Sequence, residues 1–276
     1  MENSRNWARQ LEQWRIPESV AENATDSPWV LPREVFTRRA DRHITHPVGS
    51  THELARRALD SPGSVLDIGA ASGATSLPLV GRAEVTEVTA VDTDNELLTA
   101  FVRRAEALGV PARAVHGSWP ESAEQAGTSD VVLAGNVTYN VADVDTFVTA
   151  MTERARSRVI VEMTPRHPLT ELNPLWRRFH GVERPTGPSV DDFRGVLDEL
   201  DIRPEVHHWS LPPEPEYANF ADLVEVARRR LCLPPTARQD VDRALRDLGI
   251  DPEHPPDLGS SGRELVTLAW PGTARR

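Results

Sequence analysis

The chain has 276 residues, 31 basic and 42 acidic, for a formal charge of −11 and a hydrophobic content of 39%. Every basic residue is arginine, which excludes a lysine Schiff base and a P-loop lysine. The acidic balance disfavours sequence-independent nucleic-acid binding, which runs on phosphate neutralisation, and the single cysteine, Cys232, excludes an internal disulfide or a cysteine-rich zinc site.

The N-terminal MENSRNWARQ is polar and carries no secretory h-region. No apolar run reaches the ~20 residues a membrane helix needs, so a cytoplasmic protein with no membrane partner is expected. Residues 1–60 read as helices without strands. Trp7, Leu11 and Trp14 recur at helical spacing, Trp29 falls on a proline-bounded connector, and Pro32 opens a helix carrying Val35 and Phe36. Ser50 and Glu53 form a capping-box pattern for a helix ending near Asp60.

From residue 64 short apolar runs alternate with helical segments. SVLDIG, VTEVTAVD, PARAVHG, DVVLAGNV and RVIVEMTP read as five buried strands. The helices between them carry Leu97, Leu98, Phe101 and Val102, then Val144, Phe147, Val148 and Met151. Residues 166–188, with four prolines and two glycines, read as a loop or insertion. SVDDFRGVLDEL is a helix with Ser189 as its N-cap. EVHHWSL and ELVTLAW are two further strands, separated by helical stretches at 219–233 and 236–248 that suit a lid. The pattern predicts a doubly wound α/β sheet, mostly parallel, with ligands at the strand C-termini.

Within VLDIGAASGATSLPLV a strand is followed by a small-residue loop and an expected helix start, a geometry that presents backbone N–H groups to a ligand. The run G-A-A-S-G-A from Gly69 fits a dinucleotide fingerprint poorly. Asp67-Ile68-Gly69-Ala70-Ala71-Ser72-Gly73 instead resembles the first motif of the class I S-adenosylmethionine-dependent methyltransferases, with Ala71 as the one departure. Asp92, closing the second strand, resembles their second motif. The resemblance covers roughly residues 50–165 by motif, and the strand–helix order extends it to 276. It implies a Rossmann-like fold with S-adenosylmethionine as cofactor. Gly69, Ala70, Ala71 and Gly73 would wrap its methionine and ribose, and Asp67 would hold the amino group directly or through water. Asp92, beside Thr93, would bind the ribose hydroxyls, as a carboxylate can accept two hydrogen bonds from a diol. Ser118 and Trp119 would border the adenine, and Asn136 would approach the cofactor. Where the loop needs positive φ, Ala71 would be strained.

The segment Gly135–Asn140 is not the tetrad used on nucleobase amines and glutamine amides. Tyr139 is expected near the acceptor, and His167 is the first candidate for a general base, ionising between about pH 6 and 8. Glu162, His43, His46 and His180 are further candidates, and adjacent His207 and His208 point to opposite faces of a strand. Nine histidines form no H-E-x-x-H or helical pair, so no metal is expected. RRRLCLP reads as a solvated or ion-paired face. Trp7, Trp14, Trp29 and Trp176 are candidates for a pocket wall, with Trp209 and Trp270 assigned to the core.

The expectation is therefore a cap at 1–60, a cofactor-binding core at 61–165, and a C-terminal part at 166–276 bearing the insertion, lid helices and last strands. The expected activity is methyl transfer to a small-molecule acceptor by a monomer or homodimer, with bacterial secondary metabolism as the expected setting. Arginine in place of lysine, with much alanine, proline and valine, suggests a GC-rich bacterial genome. Methylation of a protein, peptide or RNA, and non-catalytic binding of the cofactor, are the alternatives.

Overall fold

The computed structural model describes all residues except 23, 30, 60, 213, 260–262 and 276. Seven strands form one sheet: β1 (Gly63–Ile68), β2 (Val85–Asp92), β3 (Ala112–His116), β4 (Ser129–Gly135), β5 (Ala155–Met163), β6 (Glu205–Ser210) and β7 (Glu264–Pro271). Their order is β3-β2-β1-β4-β5-β7-β6. The first five are mutually parallel, while β7 runs antiparallel to both β5 and β6, so the sheet is mixed at one edge.

Strand order reverses between β1 and β4, and this opens a crevice at their carboxyl ends. Strand alternation sends neighbouring residues to opposite layers. Leu66, Val132 and Val161 join one apolar cluster with helices α1 (Glu2–Glu12), α7 (Val144–Arg154) and α9 (Val190–Glu199). Val65, Val131 and Ile160 join the other with α4 (Ser50–Ala58) and α5 (Asn95–Ala107). Trp7 is fully buried in the first layer, Phe101 in the second. Burying such a side chain stabilises the fold by about 1.5–3 kcal/mol.

The short α6 (Ala123–Ala126) after β3 adds to the first layer. The remaining helices gather over the crevice: α2 (Glu18–Ala21) and α3 (Arg33–Thr45) of the cap, α8 (Asn173–His180), and the pair α10 (Phe220–Arg230) and α11 (Arg238–Asp247) between β6 and β7. A third apolar cluster joins Trp176 of α8 and Leu223 of α10 to Val35 of α3, with Ile16, Val20 and Leu31 packed against it. Cap and lid therefore share one core. Buried Arg39 of α3 adds an ionic tie, reaching Asp257 at 2.5 Å and Glu216 at 3.4 Å.

Several local expectations need correction. Ser50 is the first helical residue of α4, not its cap; Gly49 takes that place at φ +93°. A Cβ there would lie 2.2 Å from Trp209, so only glycine lets α4 approach the sheet edge. Asp60 lies outside the described residues, and α4 ends at Ala58. Residues 74–80 form turns and a short 3₁₀ helix at Leu77–Leu79 in place of the expected α-helix. Pro78 cannot donate an amide there, and Gly81 takes φ +75°.

Residues 166–188 contain a 3₁₀ turn at Pro168–Leu172 and all of α8. Pro168 and Pro174 occupy first-turn positions where a missing N–H costs nothing, so they start helices and do not break them. Ser189 does cap α9, in a reciprocal capping box with Asp192. Trp270 is buried in the core, but Trp209 is only half-buried on edge strand β6. Among the described residues no helix is long and apolar enough to cross a membrane.

Candidate active site

The carboxyl ends of β1, β2 and β4 enclose a cavity of about 490 Å³, within the range of small-molecule sites. Eight of the ten residues expected to meet a cofactor line it: Gly69, Ala70, Ala71, Asp92, Thr93, Ser118, Trp119 and Asn136. The loop after β1 does take positive φ at position 71: Ala71 sits at φ +44°, pinned by its amide donating to Asp92 Oδ2 at 2.8 Å. Asp92 Oδ1 accepts the Asp94 amide at 2.9 Å. Each oxygen keeps further acceptor capacity toward the cavity. Asp94 itself caps α5 and ion-pairs with Arg33 of the cap at 2.8 Å.

Asp67 and Gly73 stand behind the wall instead of on it. Gly73 takes φ +95°, and a Cβ there would meet Leu77 at 2.4 Å, so its role is to let the loop pack. Asp67 is fully buried; its Oδ2 accepts from Ser76 at 2.5 Å, and Oδ1 is sealed without a partner. Burial pushes its pKa up to about 7, against the Ser76 hydrogen bond that favours the charged form.

At the β4–β5 end, Asn136 adopts φ +58°, which asparagine tolerates, and donates from Nδ2 to Glu162 Oε1 at 2.9 Å. Thr51 donates to Glu162 Oε2 at 2.6 Å. Glu162 thus holds the asparagine in place and has both oxygens engaged. Ser118 donates to Glu121 at 2.9 Å, and Trp119 to the Phe147 carbonyl at 3.2 Å, which fixes the indole at the cavity wall.

Three lining residues from the cap carry no local sequence signal for this position: Phe36, Arg39 and His52. His43, read only as a base candidate, joins them; its Nδ1 lies 3.3 Å and His52 Nε2 3.4 Å from the Ala74 carbonyl. Burial, with His52 adding to it, lowers the pKa of His43 to about 3.

A second cavity of about 720 Å³ abuts the first and shares Phe36, Leu97, Asn136 and Asn140 with it. Its walls come from the cap (Leu11, Trp14, Trp29), from Tyr139 and His167, and from the lid residue Arg230. Of the four tryptophans expected at a pocket, Trp14 and Trp29 line it. Trp7 lies beneath, stacked on Tyr139 with ring centroids 5.5 Å apart, and Trp176 belongs to the cap–lid core. The triple arginine is not simply a solvated face: Arg228 is buried and ion-paired with Asp26 at 2.8 Å, and Arg230 reaches the cavity.

His167 and Tyr139 are in the expected place but not in the expected chemical state. His167 stacks on Trp14 at 4.2 Å, and its Nδ1 accepts the Leu169 amide at 3.3 Å. Burial first, then Arg230 and Arg184, lower its pKa to about 3. The ring is neutral with its proton on Nε2, so it cannot take up an acceptor's proton between pH 6 and 8. The Tyr139 hydroxyl donates to the Thr164 carbonyl at 2.8 Å, and burial raises its pKa, so it too is no base near neutrality. His46 is exposed, His180 lies 2.7 Å from the Leu231 carbonyl in the lid, and His207 and His208 are on the sheet edge; none lines either cavity.

Residues 65–158 match the methyltransferase-domain family. That segment is similar to a methyltransferase domain, and the sheet containing it has the Rossmann-like methyltransferase fold. The YcgJ protein of Bacillus subtilis superposes with a TM-score of 0.51 at 16% identity, over 82% of this chain and 99% of that one. A provisionally assigned methyltransferase from Bacillus halodurans gives 0.50 at 17% identity, over 81% and 99%. A provisionally assigned sarcosine dimethylglycine methyltransferase from Galdieria sulphuraria gives 0.51 at 13%, over 99% of both chains. At these identities the likeness concerns the fold. No curated protein sequence matches the chain. The matched segment of the methyltransferase domain holds the loop after β1, Asp92 and Asn136, whereas the cap and lid walls of the second cavity fall outside it.

Proposed function

We propose that the protein transfers a methyl group from S-adenosylmethionine to a small molecule of bacterial secondary metabolism. The observation that carries this is the pair of abutting cavities: one framed by the loop after β1 and Asp92, the other by aromatic side chains of the cap. The residues fit the cofactor. Sealed Asp67 Oδ1 supplies an unspent acceptor behind the loop, half-buried Asp92 a diol partner, and Trp119 a flat apolar border for a purine. When bound, the cofactor would supply an electrophilic methyl on a sulfonium.

The protein's part in the reaction is positional. The Glu162–Asn136 hydrogen bond fixes the residue at the junction of the cavities, and Phe36 and Leu97 border the same junction. His167 and Tyr139 act as neutral walls, so the acceptor's nucleophile must react through its own lone pair or lose its proton elsewhere. The cap and lid line the second cavity, and its volume of about 720 Å³ suits a small acceptor.

Calorimetry tests the reading: S-adenosylmethionine and S-adenosylhomocysteine should bind, and NAD should not. Asp92→Ala should lose about 1–3 kcal/mol of cofactor binding. Asp92→Asn, which can still accept the Ala71 amide, separates ribose binding from loop support. A folded Asp92→Ala protein with unchanged affinity would remove the acid from this role.

A further inference from the structure

The second cavity contains an unbalanced cation. Two acids line it, and each already has an arginine: Glu12 meets Arg15 at 2.6 Å, and Asp94 meets Arg33 at 2.8 Å. Arg230 has no such partner. Among the described residues it forms no ion pair; Nη1 donates to the Gly259 carbonyl, Nε is sealed without a partner, and Nη2 makes no hydrogen bond. The acid whose field reaches it, Asp257, is ion-paired with Arg39 at 2.5 Å. Arg184, stacked over Trp14 at 5.6 Å, likewise has no carboxylate partner among the described residues, and its Nη1 and Nη2 donate to the Arg15 and Trp14 carbonyls. Desolvating a guanidinium without compensation costs several kcal/mol. A fold that places one at a ligand cavity leaves that cost to be offset by the ligand.

His167 sharpens the argument. Its Nδ1 is taken by the Leu169 amide, so Nε2–H is a donor, and among the described residues it has no acceptor. Two donors therefore border a cavity whose acids are already ion-paired and whose nearby walls include the aromatic rings of Trp14 and Tyr139. Resting on the methyl-transfer reading, we propose that the acceptor carries a carboxylate, held by Arg230 with His167 Nε2–H as second donor, while its apolar body lies against Trp14 and Tyr139. Arginine suits this role because its planar fork matches a carboxylate and stays charged at any working pH. The same contact sets the acceptor's direction: its anionic end sits at the lid, and its opposite end faces Asn136 and the cofactor cavity.

The test uses matched probes on the full chain: benzoate, phenylacetate and indole-3-acetate against their primary amides, titrated calorimetrically with and without saturating S-adenosylhomocysteine. At least one acid should bind about tenfold or more tightly than its amide. Arg230→Gln should abolish that preference by weakening the acid, leaving amide and S-adenosylhomocysteine affinities unchanged, and Arg230→Lys should keep part of it. Amides binding as well as acids, no acid binding at all, or a preference that survives in Arg230→Gln would each overturn the proposal. If Arg230→Gln does not fold, the native acid–amide ratio and Arg230→Lys decide it. Failure of S-adenosylhomocysteine to bind sinks the methyl-transfer reading instead, while the titrations without it still judge the anion site.

Discussion

The two cavities are built by different means. The first is made largely by backbone: a loop between β1 and Leu77–Leu79, strand ends and Asp92, inside the segment that matches the methyltransferase domain, with cap residues and Glu162 completing its rim. The second is made by side chains that meet only after folding: Trp14 from α1's end, Trp29 from a connector, His167 after β5, and Arg230 at the end of α10. A backbone-built site can persist while the sequence around it changes. One built from distant side chains depends on every element that brings them together, and here that is the joint core of cap and lid.

The harshest way to break the difference is to delete residues 1–48. Methyl transfer should be abolished, because Trp14, Trp29 and Phe36 leave the second cavity and Arg39 leaves the lid. Full activity in the deletion would make the cap a dispensable extension. A milder break is Trp7→Ala. The indole is fully buried, donates to the Val141 carbonyl at 2.8 Å and stacks beneath Tyr139. The loss should be about 3–5 kcal/mol of stability by denaturant unfolding, with acceptor turnover falling more than cofactor affinity. Equal losses of both would mean the two cavities are not separately supported.

Acid titration separates the cavities further. His43 and His167 have folded pKa values of about 3 against about 6.5 unfolded, so below pH 6.5 the unfolded chain binds more protons. Their contribution is intact above that pH and is lost as pH falls toward 3. Asp67 works the other way: its pKa of about 7, raised from the unfolded value near 3.9, gives stability that fades as pH rises from about 4 to 7. Glu171, its pKa likewise raised by burial, acts with Asp67, so the two histidines leave a net loss on acidification of at most about 1.4 kcal/mol per pH unit between roughly pH 6.5 and 4. Thermal melts should show it, and His43→Gln with His167→Gln should reverse the slope. The turnover profile should keep any step between pH 6 and 8 in His167→Gln; disappearance of that step would restore the imidazole as a base.

The smallest expected effect lies in the first cavity. Ala71→Gly relieves a positive φ but adds freedom to the unfolded chain, so stability should stay within about 1 kcal/mol of the parent. Cofactor affinity should be unchanged. A larger loss would mean that the alanine methyl itself packs against the ligand.

The same contrast explains what the sequence discloses. The strands are legible because each is a short local run, most of them apolar, and Asp92 is legible because it is the acid that closes the strand after the glycine loop. The helix α8 is not, because Pro174 reads as a breaker until its place in the first turn is known. Ser50 reads as a cap because the pattern cannot reveal that Gly49 must yield room to Trp209. The neutral state of His167 arises from a tryptophan on the cap and arginines of the insertion and lid, and no window of sequence contains all of them. Arg230 is hidden in the same way: a run of arginines does not say which one faces inward.

Phe36 belongs to both cavities, and it stands on α3, the helix whose arginines clasp the lid. A ligand in either chamber therefore presses on one face of a partition whose other face is the neighbouring chamber's wall. Whatever factor the first occupant adds to the second one's affinity, thermodynamic reciprocity returns to the first. On the methyl-transfer reading, the demethylated cofactor and the methylated product would be coupled through this one aromatic ring, each setting how readily the other departs.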